Sequence, residues 1–128
     1  MNVLLDTHIL LWLLAQPQKL PSAAVQAIEQ ANKVFFSPVN LWEIGIKSQV
    51  LPQFKFNLLE DIYLGALGAN LHELIITSVD TMFASKLPKL HKDPFDRLLI
   101  AQSHNRSIHL LSVDGKISKY NMPFIICF

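Results

Sequence analysis

Four acidic residues of this 128-residue chain stand beside strongly apolar segments. Asp6 follows the run NVLL, Asp114 follows HLLSV, Glu43 lies inside LWEIGI and Asp96 lies inside PFDRLLIA. Burying a lone carboxylate is very costly, so an acid in such surroundings must be paired, protonated or bound to a cation. These four positions are therefore the first candidates for chemistry.

Carboxylates that converge repel one another unless a cation neutralises them. Oxygen ligands favour hard ions such as Mg²⁺ and Mn²⁺. Such an ion orients a scissile phosphate, lowers the pKa of a water molecule and stabilises the leaving oxygen. The residues thus predict a metal site suited to phosphodiester hydrolysis, with the ligands Asp6, Glu43, Asp96 and Asp114.

Each of these acids also has a simpler interpretation. The alternatives are a helix cap for Asp6 and Asp114, a salt bridge from Glu43 to Lys47, and helix-dipole compensation or a pair with Arg97 for Asp96. The other acids, Asp80 among them, suit solvation or the first turn of a helix. The five histidines show no shared metal spacing, and only His8, two residues from Asp6, merits attention.

Continuously apolar strands alternate along the chain with helical patterns, which predicts one α/β domain over residues 1–128 with a mostly parallel sheet covered on both faces. The predicted strands are Asn2–Leu5, Lys33–Ser37, Leu74–Ile76, Ile108–Ser112 and Phe124–Ile126. The predicted helices cover Thr7–Ala15, 22–31, 39 to about 49, 58 to about 69, 79–87, 94–106 and Asp114–Tyr120. Ser22, Asn57 and Ser78 are the expected N-caps.

Composition adds weaker constraints. Apolar residues make up 51% of the chain and charged residues 16%, which suits a covered sheet or a surface reserved for a partner. One cysteine fits a reducing cytoplasm, and the apolar stretch Val3–Ala15 is too short to span a bilayer. The net charge is +1, yet the segment after residue 83 carries seven basic residues, which suits a polyanion or simply a solvated face.

Four segments, LLDTHILLWLL, PVNLWEIGIK, HKDPFDRLLIAQ and LLSVDGKISKY, resemble in order and spacing the PIN-domain ribonucleases, most of all the VapC toxins of toxin–antitoxin pairs. The resemblance covers essentially the whole chain. It implies a three-layer α/β/α sandwich and a Mg²⁺- or Mn²⁺-dependent endoribonuclease, held inactive by a cognate antitoxin and commonly dimeric. One departure is Ile117, where the family usually carries an aromatic residue.

Carried over by position, the resemblance makes Asp6, Glu43, Asp96 and Asp114 the catalytic, metal-binding acids. Ser112 would support them through its hydroxyl, and Asp93 would be a neighbouring support or an N-cap. The basic residues nearest the motifs, some of which should contact RNA phosphates, are Lys47, Lys92, Arg97 and Lys116.

Two other classes of function stay open. The chain could be a catalytically weak PIN-like module that holds RNA or protein without cutting, although the complete set of acids argues against this. It could also be a structural partner-binding domain that uses the apolar helix Thr7–Ala15, for which core packing is the simpler interpretation.

Overall fold

A computed structural model describes the backbone of residues 1–50 and 58–128 and the side chains of 1–48 and 59–128. The five strands are β1 (Asn2–Leu5), β2 (Lys33–Phe36), β3 (His72–Glu73), β4 (His109–Ser112) and β5 (Ile125–Cys127). The helices are α1 (Thr7–Ala15), α2 (Ser22–Gln30), α3 (Pro38–Val50), α4 (Leu58–Gly68), α5 (Ser78–Lys86), α6 (Pro94–Arg106) and α7 (Gly115–Ser118), with a short 3₁₀ turn at Pro17–Lys19.

The strands form a single parallel sheet in the order β3-β2-β1-β4-β5. The chain winds outward from β1 on one side and from β4 on the other, so the winding direction reverses between these two strands. A crevice opens at such a reversal, outside the carboxyl ends of the strands. Asp6 lies directly after β1, and its backbone N–H donates to the carbonyl of Leu111 in β4 at 2.9 Å.

Alternate residues of β1 and β4 pack into two separate cores. Val3, Leu5 and Leu111 face a core that includes residues of α1, α2 and α4, whereas Leu4 and Leu110 face a core that includes residues of α6 and α7. The result is the three-layer α/β/α sandwich that was predicted, with a sheet that is wholly parallel. Ile117 is fully buried in the second core, so the residue that departs from the family pattern serves packing.

The third strand was predicted two residues too late. It covers His72–Glu73 rather than Leu74–Ile76. Its partner β2 ends at Phe36, opposite Glu73. Beyond that point Gln102 Nε2 donates to the carbonyl of Leu74 at 2.9 Å and Arg106 Nη2 donates to that of Ile75 at 2.9 Å. These backbone acceptors are therefore bound by a helix.

Two of the predicted N-caps were also wrong. α2 begins at Ser22 itself, with Pro21 at the cap position and no side-chain hydrogen bond. α5 is capped by Thr77, whose hydroxyl accepts from the N–H of Asp80 while Asp80 Oδ2 accepts from the N–H of Thr77. This reciprocal capping box satisfies two backbone donors at once. The third predicted cap, Asn57, lies outside the described residues.

Asp80 does more than compensate a helix dipole. It is fully buried, and Arg106 donates to both of its oxygens, at 2.8 and 2.9 Å. Burial raises the pKa of Asp80, but the hydrogen bonds from Arg106, Asn105 and Thr77 outweigh it and lower that pKa to about 2. The pair ties α5 to the end of α6 and serves the fold.

The described helices include none that combines the length and the apolar character needed to cross a membrane.

Candidate active site

Asp6 links β1 to β4 at the carboxyl edge of the sheet. Its side chain is 2% exposed. Oδ1 accepts from the N–H of Ile9 at 2.8 Å, which caps α1, and Oδ2 accepts from the hydroxyl of Ser112 at 2.6 Å and the N–H of Val113 at 3.1 Å. Burial raises the pKa of Asp6 against the lowering effect of these bonds. The capping alternative for Asp6 is thus realised, and it fixes the carboxylate across the β1–β4 junction.

Ser112 connects this carboxylate to the next acid. Its Oγ donates to Asp6 and accepts from the backbone N–H of Asp114 at 2.9 Å. The side chain of Asp114 is 32% exposed, and its Oδ1 accepts from the N–H of Lys116 at 2.9 Å as the cap of α7. One hydroxyl therefore sets the relative positions of the two strand-end acids.

Glu43 approaches the same edge from α3, which Pro38 begins. Its side chain is buried, and Oε2 pairs with Lys47 Nζ at 2.5 Å, one helical turn on. Burial acts to lower the pKa of Lys47, but its hydrogen bond to Glu43 and the charges of Glu43, Asp93 and Asp96 outweigh burial and raise it. The other oxygen of Glu43, Oε1, is buried with no hydrogen-bond partner among the described residues.

Asp96 lies in the first turn of α6, where Asp93 caps the helix by accepting from the N–H of Phe95 at 2.8 Å. The carboxyl of Asp96 is buried, and its Oδ2 lies 2.6 Å from His91 Nε2. Burial raises the pKa of Asp96 to about 7, the hydrogen bond to His91 opposes that change, and the charges of Asp93 and Glu43 add to it. Asp96 therefore carries a negative charge only at an electrostatic cost.

His91 is the site residue that sequence reasoning missed. Among the described residues, one group of potential metal ligands has its ligand atoms within 4.8 Å of one another, namely His91, Asp93 and Asp96. His91 Nε2 also lies 4.0 Å from Asp114 Oδ2. The spacing of the histidine and the two aspartates in HKDPFD, across the start of a helix, was the available signal.

The predicted acids thus fall into two neighbouring groups. Asp6 and Asp114 are linked through Ser112, whereas Glu43 and Asp96 interact with each other and with Asp93. The ligand atoms of the predicted four do not themselves form a group within 4.8 Å in the described structure. The imidazole of His91, between Asp96 and Asp114, spans the two groups.

The four predicted phosphate contacts differ in their surroundings. Lys92 and Lys116 are exposed, and Lys47 is half-exposed while it pairs with Glu43. Arg97 is directed elsewhere: its Nη2 donates to the carbonyls of Ala84 and Leu87 at 2.9 Å each, at the end of α5. Its guanidinium binds backbone rather than the acids with which a pair was considered.

The residues present fit a hard divalent cation. The donors are carboxylate oxygens, which suit Mg²⁺ or Mn²⁺, while Nε2 of His91 is within hydrogen-bond distance of one of them. Oε1 of Glu43, which has no hydrogen-bond partner in the described part of the chain, and the raised pKa of Asp96 both indicate negative charge that the cations described there do not fully neutralise.

Comparisons with known proteins decide the family. The PIN domain family model matches residues 3–122. The chain belongs to the PIN domain family. It is 30% identical over 124 residues to Ribonuclease VapC22 of Mycobacterium tuberculosis, covering 95% of this chain and 94% of that protein. The predicted membership of the PIN family and the resemblance to VapC are confirmed.

Solved structures agree on the fold. VapBC2 from Rickettsia felis, bound to a DNA fragment from its promoter, superposes with a TM-score of 0.68 at 14% identity, covering 100% of this chain and 98% of that one. A toxin–antitoxin complex from Klebsiella pneumoniae gives 0.67 at 16% identity, covering 97% and 95%. Both likenesses extend over the whole domain.

Proposed function

We propose that this PIN-domain protein is a Mg²⁺- or Mn²⁺-dependent endoribonuclease and the toxin of a toxin–antitoxin pair. The observation that carries the proposal is the cluster of His91, Asp93 and Asp96 at the start of α6, whose potential ligand atoms lie within 4.8 Å of one another. Burial, and then the charges of Asp93 and Glu43, raise the pKa of Asp96 in that cluster. Such a cluster of buried carboxylates is electrostatically unfavourable without a cation, and a cation bound there would neutralise it. The likeness to Ribonuclease VapC22 supports RNA as the substrate.

In this proposal Asp6, Glu43, Asp96 and Asp114 hold the cation. A divalent ion held there supplies an activated water and stabilises charge on the leaving oxygen. Ser112 keeps Asp6 and Asp114 in register, and Asp93 fixes the start of the helix that carries Asp96. The exposed ammonium groups of Lys92 and Lys116 lie next to these acids in sequence and would bind the flanking phosphates.

The test is cleavage of structured RNA with Mn²⁺ by the wild type and by Asp96→Asn, which keeps the shape of the side chain and removes its charge. Loss of a direct ligand should lower the cleavage rate by about 100-fold or more, since losing a mere supporting partner of a ligand already costs about 10- to 100-fold. Asp6→Asn should behave alike. Asp61→Asn, which changes an exposed acid on α4, is the matched control.

Equal cleavage by the wild type and Asp96→Asn would refute the proposal. RNA binding without cleavage in any divalent metal would instead favour the second candidate, a PIN-like module that holds RNA or protein. The buried acids argue against that candidate, because a binding module gains nothing from carboxylates that destabilise it.

The partners follow from the same comparisons. The likeness to VapBC2 of Rickettsia felis and to a toxin–antitoxin complex of Klebsiella pneumoniae supports a cognate antitoxin for this chain. Co-purification with the product of a neighbouring small gene, and growth arrest that this product relieves, would test it. A homodimer stays a prediction that sedimentation would check, and a cytoplasmic location follows if cellular RNA is the substrate.

A further inference from the structure

His91 is hydrogen-bonded to Asp96 and stands outside the set of acids proposed to hold the cation. The imidazole is 8% exposed, in the segment between α5 and α6. Its Nε2 lies 2.6 Å from Asp96 Oδ2 and 4.0 Å from Asp114 Oδ2. A buried histidine between two carboxylates from different elements is well placed to set their separation.

The other two buried acids of the site each have a dedicated partner. Ser112 donates to Asp6, and Lys47 donates to Glu43. Asp96 has His91 in the corresponding place. An ionised carboxylate accepts hydrogen bonds and donates none, so in the charged, cation-holding form of Asp96 the donor must be Nε2–H of His91. This bond occupies Oδ2 of Asp96 and leaves Oδ1 available to the cation.

Hydrogen bonds from Tyr120 and from Arg97 hold the backbone of the segment that carries His91. The single O–H of Tyr120 is shared between the carbonyl of Pro88 at 2.9 Å and that of His91 at 3.3 Å. Arg97, one residue after Asp96, donates to the carbonyl of Leu87 at 2.9 Å. These bonds hold the backbone that carries the buried imidazole, whose ring contacts Asp96.

We infer that His91 is a positioning residue of the active site, which donates from Nε2 to Asp96 and so aims the free oxygen of that carboxylate at the cation. The inference rests on the proposed metal-dependent function. It assigns to the imidazole a hydrogen bond rather than a coordination bond. A donor at the same reach should therefore replace it.

Mn²⁺ affinity, measured by calorimetry or by electron paramagnetic resonance on the full chain without RNA, tests this role. His91→Ala should weaken Mn²⁺ binding by about 10- to 100-fold, the usual cost of losing a group that orients a metal ligand. His91→Gln carries an amide N–H at the reach of Nε2 and should stay within about threefold of the wild type. His104→Ala, at the opposite end of α6, is the control and should leave the affinity unchanged.

Three results would overturn the inference. The first is a folded His91→Ala variant that binds Mn²⁺ as tightly as the wild type. The second is an equal loss of Mn²⁺ affinity in His91→Ala and His91→Gln, which would make the ring nitrogen a ligand. The third is an unprotonated Nε2 in ¹⁵N spectra of the metal-free protein at alkaline pH. Circular dichroism establishes folding, and His91→Asn, which shortens the reach, replaces an unfolded alanine variant. Absence of Mn²⁺ binding by the wild type would overturn the proposed function and the role of His91 together, so the wild-type titration separates the two failures.

Discussion

Replacing Asp96 with asparagine should stabilise the metal-free protein at alkaline pH while it abolishes metal binding. Burial, then the charges of Asp93 and Glu43, raise the pKa of Asp96 from 3.8 to about 7 in the folded chain, against the hydrogen bond from His91. A folded protein that keeps a proton which the unfolded chain has released loses stability as pH rises. The loss begins above the unfolded pKa and ends above the folded one.

The magnitude follows from these two pKa values. Between about pH 5 and 7 the unfolded carboxyl is already ionised and the folded one is still largely protonated. The free energy of unfolding therefore falls by about 1.4 kcal/mol per pH unit, or about 3 kcal/mol across these two pH units. Asparagine has no charge to lose and keeps an acceptor for His91. The difference between the two proteins isolates Asp96, because Asp6, whose pKa burial also raises, is present in both.

The assay is urea unfolding of the wild type, Asp96→Asn and the control Asp61→Asn, in EDTA, at about pH 5 and pH 8. Over that pH range the free energy of unfolding of the wild type and of the control should each fall by about 3 kcal/mol more than that of Asp96→Asn. Excess Mn²⁺ at pH 8 should then stabilise the wild type, by about 2.7 kcal/mol at a hundredfold excess over Kd, and leave Asp96→Asn unchanged. A wild type whose stability is constant or rises from pH 5 to pH 8, relative to Asp96→Asn, would show that the electrostatic reasoning is wrong.

Three further predictions concern the partners of the acids and the surface. Ser112→Ala removes the donor to Asp6 and the acceptor for the N–H of Asp114. It should lower the free energy of unfolding by about 1–3 kcal/mol and Mn²⁺-dependent cleavage about 10- to 100-fold, whereas the exposed Ser118→Ala should change neither. Asp80→Asn should destabilise the protein by about 3 kcal/mol in urea, because it leaves Arg106 without its buried partner, with no change in cleavage rate per folded molecule. Lys116→Ala should weaken RNA binding and reduce its salt dependence by about one counterion, while Lys33→Ala, at the amino end of β2, should leave both unchanged.

The sheet was predictable because its signals are local. Val3, Leu4 and Leu5 form an uninterrupted apolar run in β1, and Pro94 with Asp93 before it marks the start of α6. The prediction of the third strand failed for a non-local reason, since its partner β2 ends at Phe36, opposite Glu73, and Gln102 and Arg106 in a distant helix bind the carbonyls that follow. No window of sequence around residue 74 contains that information.

The candidate site divides in the same way. Asp6 and Asp114 could be predicted because each follows a strand, and strand ends meet at one edge of a parallel sheet. For His91 the only local signal was its spacing from the two aspartates in HKDPFD, because the contact that holds its backbone comes from Tyr120, which lies 29 residues further along the chain. The salt bridge between Glu43 and Lys47 was foreseen as a simpler alternative, and it is present. It does not remove Glu43 from the site, since Oε1 is left buried without a partner among the described residues.

The partners of the acids explain how a small domain keeps them in place. A hydroxyl, an ammonium and an imidazole each bind an oxygen of a buried acid, at Asp6, Glu43 and Asp96 respectively. These contacts fix direction without cancelling the charge of the group, because the pKa of Asp96 remains raised with its partner in place. If full neutralisation were the purpose, a second guanidinium pair such as that of Arg106 with Asp80, which lowers the pKa of its acid, would have achieved it. The contrast between Asp80 and Asp96 therefore separates an acid that stabilises the fold from an acid that is available to a cation.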